Sequence, residues 1–253
     1  MHSRIHTVML RRAACLALAS TIWSSGCVED QKADSRCVLD GQTFRTDVKS
    51  RWRDYTLTTL NRAPRENLVA GLRLLSAGAK KAEARSALDL GAGAGNETRH
   101  LLAEGFRVHA IDADPFAVAV MEECARQQGL AARLTTQQAT FETMTLPEAS
   151  YDLVNASYAL PFARPETFPK VWTRVVESLT EGGVVTAHFF GPEHGWAENP
   201  KMTFFSEAEL RALLAQHPLE VRFFEETNAV VETATEDPTR FHVFEVHAVR
   251  RSP

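Results

Sequence analysis

Residues 87–98 read ALDLGAGAGNET. An apolar run closes on an acid, three alternating glycines follow, and Asn96 opens a stretch suited to a helix. In an α/β sheet, ligands sit beyond the carboxyl ends of the strands, where the strand order switches direction. A strand–turn–helix junction of this kind grips a nucleotide-like ligand. Gly91, Gly93 and Gly95 lack a Cβ, so the turn reaches unusual backbone angles and admits a ligand close to the main chain.

The spacing narrows the ligand. A dinucleotide fingerprint, G-x-G-x-x-G, begun at Gly91 needs a glycine where Asn96 stands. No G-x-x-x-x-G-K-[ST] occurs anywhere, which removes a P-loop. What is present is Asp89-x-Gly91-x-Gly93-x-Gly95, and an acid at 89 suits a cationic ligand better than a pyrophosphate. Further on, VHAIDADP (108–115) places Asp112 at the end of the next predicted strand, 21 residues after Gly91. An acid there accepts hydrogen bonds from ribose hydroxyls.

Strand-like and helix-like patterns alternate from Ser86 onward. Strands are predicted at Ala87–Leu90, Arg107–Ile111, Ala132–Thr136, Asp152–Ser157, Val184–Phe190, Glu220–Phe224 and Phe241–Val249. Helical spacing joins Ala117, Val120, Met121 and Cys124, and again Phe168, Val171, Trp172, Val175 and Leu179. Ser206 and Glu209 form a capping box ahead of Leu210, Leu213 and Leu214. Strands separated by helices pair in parallel through right-handed crossovers, and both sheet faces are covered. The last two strands have no helix between them and are expected to pair as a hairpin. The expected fold is α/β: a doubly wound, mostly parallel seven-stranded sheet with helices on both faces and a C-terminal antiparallel hairpin, over residues 47–251. Within it, residues 47–78 read as helical, with Leu68, Leu72, Leu74 and Leu75 on one side and APRE (63–66) as a break.

The 28 basic and 32 acidic residues nearly balance, so no positive footprint for nucleic acid appears. No apolar run reaches the roughly 18–20 residues of a membrane-spanning helix. At the start, Arg4, Arg11 and Arg12 precede the apolar stretch Ala13–Trp23 and then SSGC, ending at Cys27. That is the form of a signal-like leader over residues 1–27, and it resembles a bacterial lipoprotein box with Ser24 in place of Leu. Residues 28–46 read as a polar linker. Cys15, Cys27, Cys37 and Cys124 make no C-x-x-C pair and no even framework, so neither zinc nor a disulfide scaffold is expected. His242 and His247 lie five apart on a predicted strand and point to opposite faces. With no recognisable ligand spacing at His188 and His194 either, no metal is expected.

The stretch 89–95 resembles motif I of the Rossmann-like, class I S-adenosylmethionine-dependent methyltransferases. YDLVNASYALPF (151–162), LTEGGVVTAHFFGPEHGWA (179–197), MTFFSEAEL (202–210), FHVFEVHAVRR (241–251) and the upstream RWRDYTLTTLNRAPRENLV (51–69) are similar to a bacterial subgroup of the tellurite-resistance or thiopurine-methyltransferase-like type. The resemblance covers about residues 50–251. It implies S-adenosylmethionine as cofactor, held by Asp89, Gly91, Gly93, Gly95, Asp112 and Ala113, with Ser157 beside them. The family's acid near the adenine is replaced by Thr140, with Gln138 or Glu142 as stand-ins and Phe141 against the ring. A small-molecule methyl acceptor is expected against Trp52, Tyr55, Tyr158, Phe162 and Trp196, with Phe190 nearby. Methyl displacement needs alignment and exclusion of water more than acid–base catalysis, so no base is obligatory, and His188 is the one candidate. The alternative is a protein that binds the cofactor without turning it over. Cytoplasmic location is expected, because the methyl donor is made there; export, or a lipid anchor at Cys27, is the alternative.

Overall fold

Each early strand is followed by a helix that carries the chain back, and this sets the sheet. The computed structural model describes residues 36–39, 50, 52–75, 85–232 and 238–252. Two helices come first, α1 (Arg53–Thr59) and α2 (Glu66–Leu75). Then follow β1 (Ser86–Leu90), α3 (Asn96–Ala103), β2 (Arg107–Asp112), α4 (Pro115–Gln127) and β3 (Leu134–Gln138). The chain continues through β4 (Tyr151–Ala156), α5 (Phe168–Ser178), β5 (Leu179–Phe190), α6 (Glu207–Ala215), β6 (Leu219–Val231) and β7 (Thr239–Arg250). The seven strands form one sheet in the order β3-β2-β1-β4-β5-β7-β6. The first five run parallel, while β7 lies antiparallel between β5 and β6. The order reverses between β1 and β4, so the crevice opens at the ends of those two strands.

Alternation along the strands feeds two cores. Leu88 and Leu90 face one side, where they join Phe168, Trp172 and Val175 of α5 and Leu210 of α6. Ala87, Val108 and Ala110 face the other, against Leu68 of α2, Leu101 of α3 and Met121 of α4. Helices therefore cover both faces, as the sequence patterns require. The predicted capping box at Ser206 and Glu209 is formed at the start of α6. No helix of the described residues is long and apolar enough to cross a membrane.

Several boundaries differ from the sequence expectation. The helical stretch 47–78 is two helices, broken by Asn61 at φ 65° and by Pro64; residues 47–49, 51 and 76–78 lie outside the described residues. Strand β3 starts two residues late because Ala131–Arg133 form a 3-10 turn. Strand β6 runs on to Val231, past the predicted Phe224, since Glu225–Val231 pair with Thr239–Glu245. That extension is mostly exposed, so its sequence carries no buried alternation.

No disulfide scaffold is expected from the cysteine spacing, yet Cys37 is bonded to Cys124 across 87 residues. Both cysteines are buried with Phe116 and Val120 of α4. The Asn61 side chain donates to the Cys37 carbonyl at 2.9 Å and accepts from its N–H at 2.8 Å. Gln127 treats Val38 the same way, at 2.8 and 3.1 Å. Residues 36–39, read from sequence as linker, are thus pinned to α4 and to the turn after α1. The leader over residues 1–27 lies outside the described residues. Closing so long a loop restricts the unfolded chain. A Cys37→Ala, Cys124→Ala double variant should lose about 2–4 kcal/mol of stability, read as a lower melting temperature. An unchanged melting curve would show that the crosslink adds nothing.

Asp89 forms the polar tie at the centre of the sheet. Its carboxylate, 1% exposed, accepts from the Thr98 hydroxyl on α3 at 2.6 Å and from the Asn155 amide on β4 at 2.7 Å. Burial, aided by the charge of Glu97, pushes its pKa from 3.8 to about 7 against the pull of those two bonds. Between these values the unfolded chain has lost a proton that the folded protein keeps, so stability falls as pH rises through the window. The slope for one proton is at most about 1.4 kcal/mol per pH unit. Wild type should therefore lose more stability than Asp89→Asn between pH 4 and pH 8 in denaturant titrations. Parallel curves for the two proteins would refute this placement of the proton.

Candidate active site

The carboxyl ends of β1, β2, β4 and β5 open into a cavity of about 730 Å³. Helix α1, the segment after β5, the end of β6 with Glu232, and Phe241 of β7 complete its walls. This is a size suited to small ligands.

The glycine turn forms its floor. Gly91, Gly93 and Gly95 have φ of 63°, 54° and 70°, left-handed values that favour glycine. They divide the work. A Cβ on Gly91 would lie 2.5 Å from the Ala159 Cβ, and one on Gly95 would lie 2.4 Å from Met121 Cγ. At Gly93 a Cβ would meet nothing closer than the Gly91 carbonyl at 4.0 Å. Gly91 and Gly93 line the cavity, whereas Gly95 sits behind it as the N-cap of α3.

Asp112, at the tip of β2, lines the cavity with Ala113. Its two oxygens accept from the N–H of Gly93 and the N–H of Asp114, each at 2.8 Å. Burial nevertheless raises its pKa above the usual carboxylate value. Asp89 occupies no part of the cavity lining; both its oxygens are engaged inside the sheet. Of the two acids expected against the ligand, Asp112 lines the cavity and Asp89 does not. Of the residues expected near the adenine, Thr140, Phe141 and Glu142 line the cavity and Gln138 does not. Ser157 lines it too, its hydroxyl accepting from the Asn67 amide at 2.9 Å and donating to Asn155 Oδ1 at 2.8 Å.

Trp52, Tyr55, Tyr158, Phe162, Phe190 and Trp196 line the cavity as one connected set of rings. Trp52 stands edge-on to Phe162 at 5.4 Å, and Trp196 lies 6.0 Å from Phe190. His188 is absent from the wall: it is 4% exposed, with its ring stacked 3.9 Å from that of Tyr158. Burial keeps its pKa below that of a free imidazole. The reading of His188 as a base facing substrate therefore loses its geometric footing.

Sequence reasoning missed four cations and the facing ends of β6 and β7. Arg62, Arg65, Arg164 and Lys201 line the cavity, as do Val231, Glu232 and Phe241. Arg62 donates to Glu97 at 2.7 Å, next to the glycine turn. Arg65 lies 4.5 Å over the Tyr158 ring and donates to the Tyr55 hydroxyl at 3.4 Å. Two guanidiniums there can receive a ligand carboxylate. The available signal was the pair of arginines flanking the break at Ala63 and Pro64, a bend that returns the chain to the glycine turn. Among the described residues, no group of three or more potential metal ligands comes together.

Residues 87–183 match the methyltransferase domain family. The fold is shared with TehB from Haemophilus influenzae, at 17% identity and a TM-score of 0.63, over 76% of this chain and 64% of that one. It is shared with the N-methyltransferase NodS from Bradyrhizobium japonicum WM9 in complex with S-adenosyl-L-homocysteine, at 18% identity and a TM-score of 0.55, over 76% and 90% of the two chains. It is shared again with the Burkholderia thailandensis 1,6-didemethyltoxoflavin-N1-methyltransferase, bound to 1,6-didemethyltoxoflavin and S-adenosylhomocysteine, at 19% identity and a TM-score of 0.53, over 74% and 79%. At these identities the likenesses speak for the fold. No curated protein sequence matches the chain. Residues 87–183 thus carry a methyltransferase domain, set in the seven-stranded α/β architecture that the chain shares with these solved methyltransferases.

Proposed function

We propose that the protein transfers a methyl group from S-adenosylmethionine to a small-molecule acceptor held in the aromatic end of the cavity. One observation carries this reading: a single cavity joins Asp112 and the bare main chain of Gly93 to a wall of aromatic rings. The fit to the cofactor rests on this chain's own groups. Asp112 would hold the ribose hydroxyls, with the spare lone pairs of a carboxylate that already fixes Gly93. The open face of Gly93 leaves room for a ligand against the main chain. Arg62 and Arg65 would receive the carboxylate, and Thr140 with Phe141 would border the adenine. When bound, the cofactor would supply a sulfonium methyl for transfer to a lone pair of the acceptor, with S-adenosylhomocysteine as the leaving group. Trp52, Tyr55, Phe162 and Trp196 orient the acceptor and exclude water, which is where such a reaction gains its rate. The solved 1,6-didemethyltoxoflavin-N1-methyltransferase of the same fold, with 1,6-didemethyltoxoflavin bound, supports a small acceptor by analogy.

We also infer that the protein works in an oxidising compartment. The buried Cys37–Cys124 bond supports this, since disulfides are rare where thiols are kept reduced. The signal-like leader over residues 1–27 agrees with it. This reading takes the alternative to the cytoplasmic expectation.

Turnover is tested by incubating the protein with S-adenosylmethionine and thiol, selenol, tellurite and phenol acceptors, with S-adenosylhomocysteine as the readout. Product is expected with at least one acceptor; tight cofactor binding with no product from any would identify a binding protein. Asp112→Ala should weaken cofactor binding by roughly 10–100-fold in calorimetry, the loss of a charged acceptor. Unchanged affinity would remove Asp112 from the site. Mass spectrometry of the native protein, with thiol alkylation, is expected to give a mature N-terminus at or beyond Cys27 and no free thiol at Cys37 or Cys124. An intact Met1 with both thiols free would return the protein to the cytoplasm.

A further inference from the structure

Tyr158 is held in a backbone conformation that its side chain resists. It follows the end of β4 at φ 55°, a left-handed value where a bulky residue is an outlier. Such strain persists only where the surroundings over-determine it, and it clusters at functional sites. The surroundings here are specific. The His188 ring stacks on Tyr158 at 3.9 Å and 14°, and the Arg65 guanidinium lies 4.5 Å from the same ring centre. A ring stacked that closely fills its face, so Arg65 takes the other. What remains free of the clamp is the ring edge with its hydroxyl, on a residue that lines the cavity. No described protein group hydrogen-bonds that hydroxyl.

The clamp is itself braced. His188 on β5 sits opposite Glu245 on β7, its Nε2 3.6 Å from Glu245 Oε2. The second oxygen of Glu245 is 2.7 Å from His247 Nε2, and the His247 ring stacks on Phe223 at 4.9 Å. Contacts with His188 and His247 lower the Glu245 pKa to about 2, so this carboxylate is charged at all working pH values. A charged group beneath two buried imidazoles is an expensive support for a residue that merely fills space.

Resting on the methyltransferase reading, we infer that Tyr158 is the hydrogen-bond donor that fixes the acceptor molecule, and that His188, braced by Glu245, is a positioning residue that keeps the phenol aimed into the cavity. The phenol is suited to donate: burial raises its pKa above the ordinary tyrosine value, so it keeps its proton. The charge of Arg65 over the ring favours donation further. The acceptor class follows from the donor. It carries a hydrogen-bond-accepting atom at or beside its nucleophile, as a thiolate, a phenolate or an aromatic ring nitrogen does, and an alkylammonium does not.

The test uses thiophenol, 4-nitrophenol and benzimidazole as accepting probes, and benzylamine as the ammonium. Wild type should turn over one or more of the first three in preference to benzylamine. Tyr158→Phe keeps the ring and both stacked partners; it should lower kcat/KM for the accepting probes roughly 10–100-fold while the calorimetric affinity for S-adenosylmethionine stays within about twofold. His188→Ala should lower kcat for the same probes at similar cofactor affinity, and His188→Phe, which restores a flat ring, should recover most of the loss. If Tyr158→Phe matches wild type, or if wild type binds cofactor and turns over none of the accepting probes, the inference is overturned. A wild type that fails to bind S-adenosylmethionine would instead sink the methyltransferase reading.

Discussion

Asp89, next to last in β1, carries a carboxylate that water cannot reach, and its two oxygens accept from Thr98 on α3 and Asn155 on β4. Those bonds fix the start of α3 relative to the two central strands, and hence the turn at 91–95 that lies between them. The tie extends further. Asn155 Oδ1 accepts from Ser157, and the Ser157 hydroxyl in turn accepts from Asn67 on α2. Buried polar groups are costly unless each is satisfied, and a satisfied network specifies a unique arrangement. Here the network spans β1, β4, α2 and α3, with the cavity floor directly above it. Without it, the left-handed turn would have no reason to hold one shape.

A second linkage joins the wall to the floor. Asp112 accepts from the N–H of Asp114, and Asp114 caps α4 by accepting from the N–H of Phe116 at 2.8 Å. The other oxygen of Asp114 accepts from the Ser50 hydroxyl and, at 3.3 Å, from the N–H of Trp52. The start of α1, with Trp52 and Tyr55 on it, is therefore tied to the strand tip that carries Asp112. The Cys37–Cys124 bond secures the preceding segment to the same helix, α4. One helix thus anchors both the floor and the upstream wall of the cavity.

The parts legible in the sequence are those with local signals. The glycine spacing located the turn, Asp112 announced the end of β2, and Ser206 with Glu209 marked the start of α6, because each depends on residues close together in the chain. Position within the fold is less local. Asp89 reads as an acid beside glycines, but whether it faces ligand or core depends on Asn155, 66 residues away. The disulfide was illegible for the same reason: 87 residues separate two cysteines that share no motif. His188 looks like a base in an apolar strand; only the stacked Tyr158 shows that the ring is covered. The aromatic residues were easier, since large rings at the ends of strands and in the loops after them have few places to go.

Charge distribution around the cavity explains why the two acids behave so differently. Asp89 and Asp112 are both buried, and burial disfavours the charge on each. Two backbone N–H groups, from Gly93 and Asp114, offset this at Asp112. Asp89 has a hydroxyl and an amide as donors, with the charge of Glu97 working against ionisation. Glu97 is in turn occupied by Arg62 at 2.7 Å and by the N–H of Arg65 at 3.2 Å, which draws both arginines to the start of α3. The same carboxylate that disfavours a charge on Asp89 thereby holds the guanidiniums at the edge of the cavity. In the proposed function, a cationic ligand head that carries its own carboxylate would meet both halves of this arrangement: Arg62 and Arg65 for the anion, and the ionisable carboxylate of Asp112 for the hydroxyls beyond it.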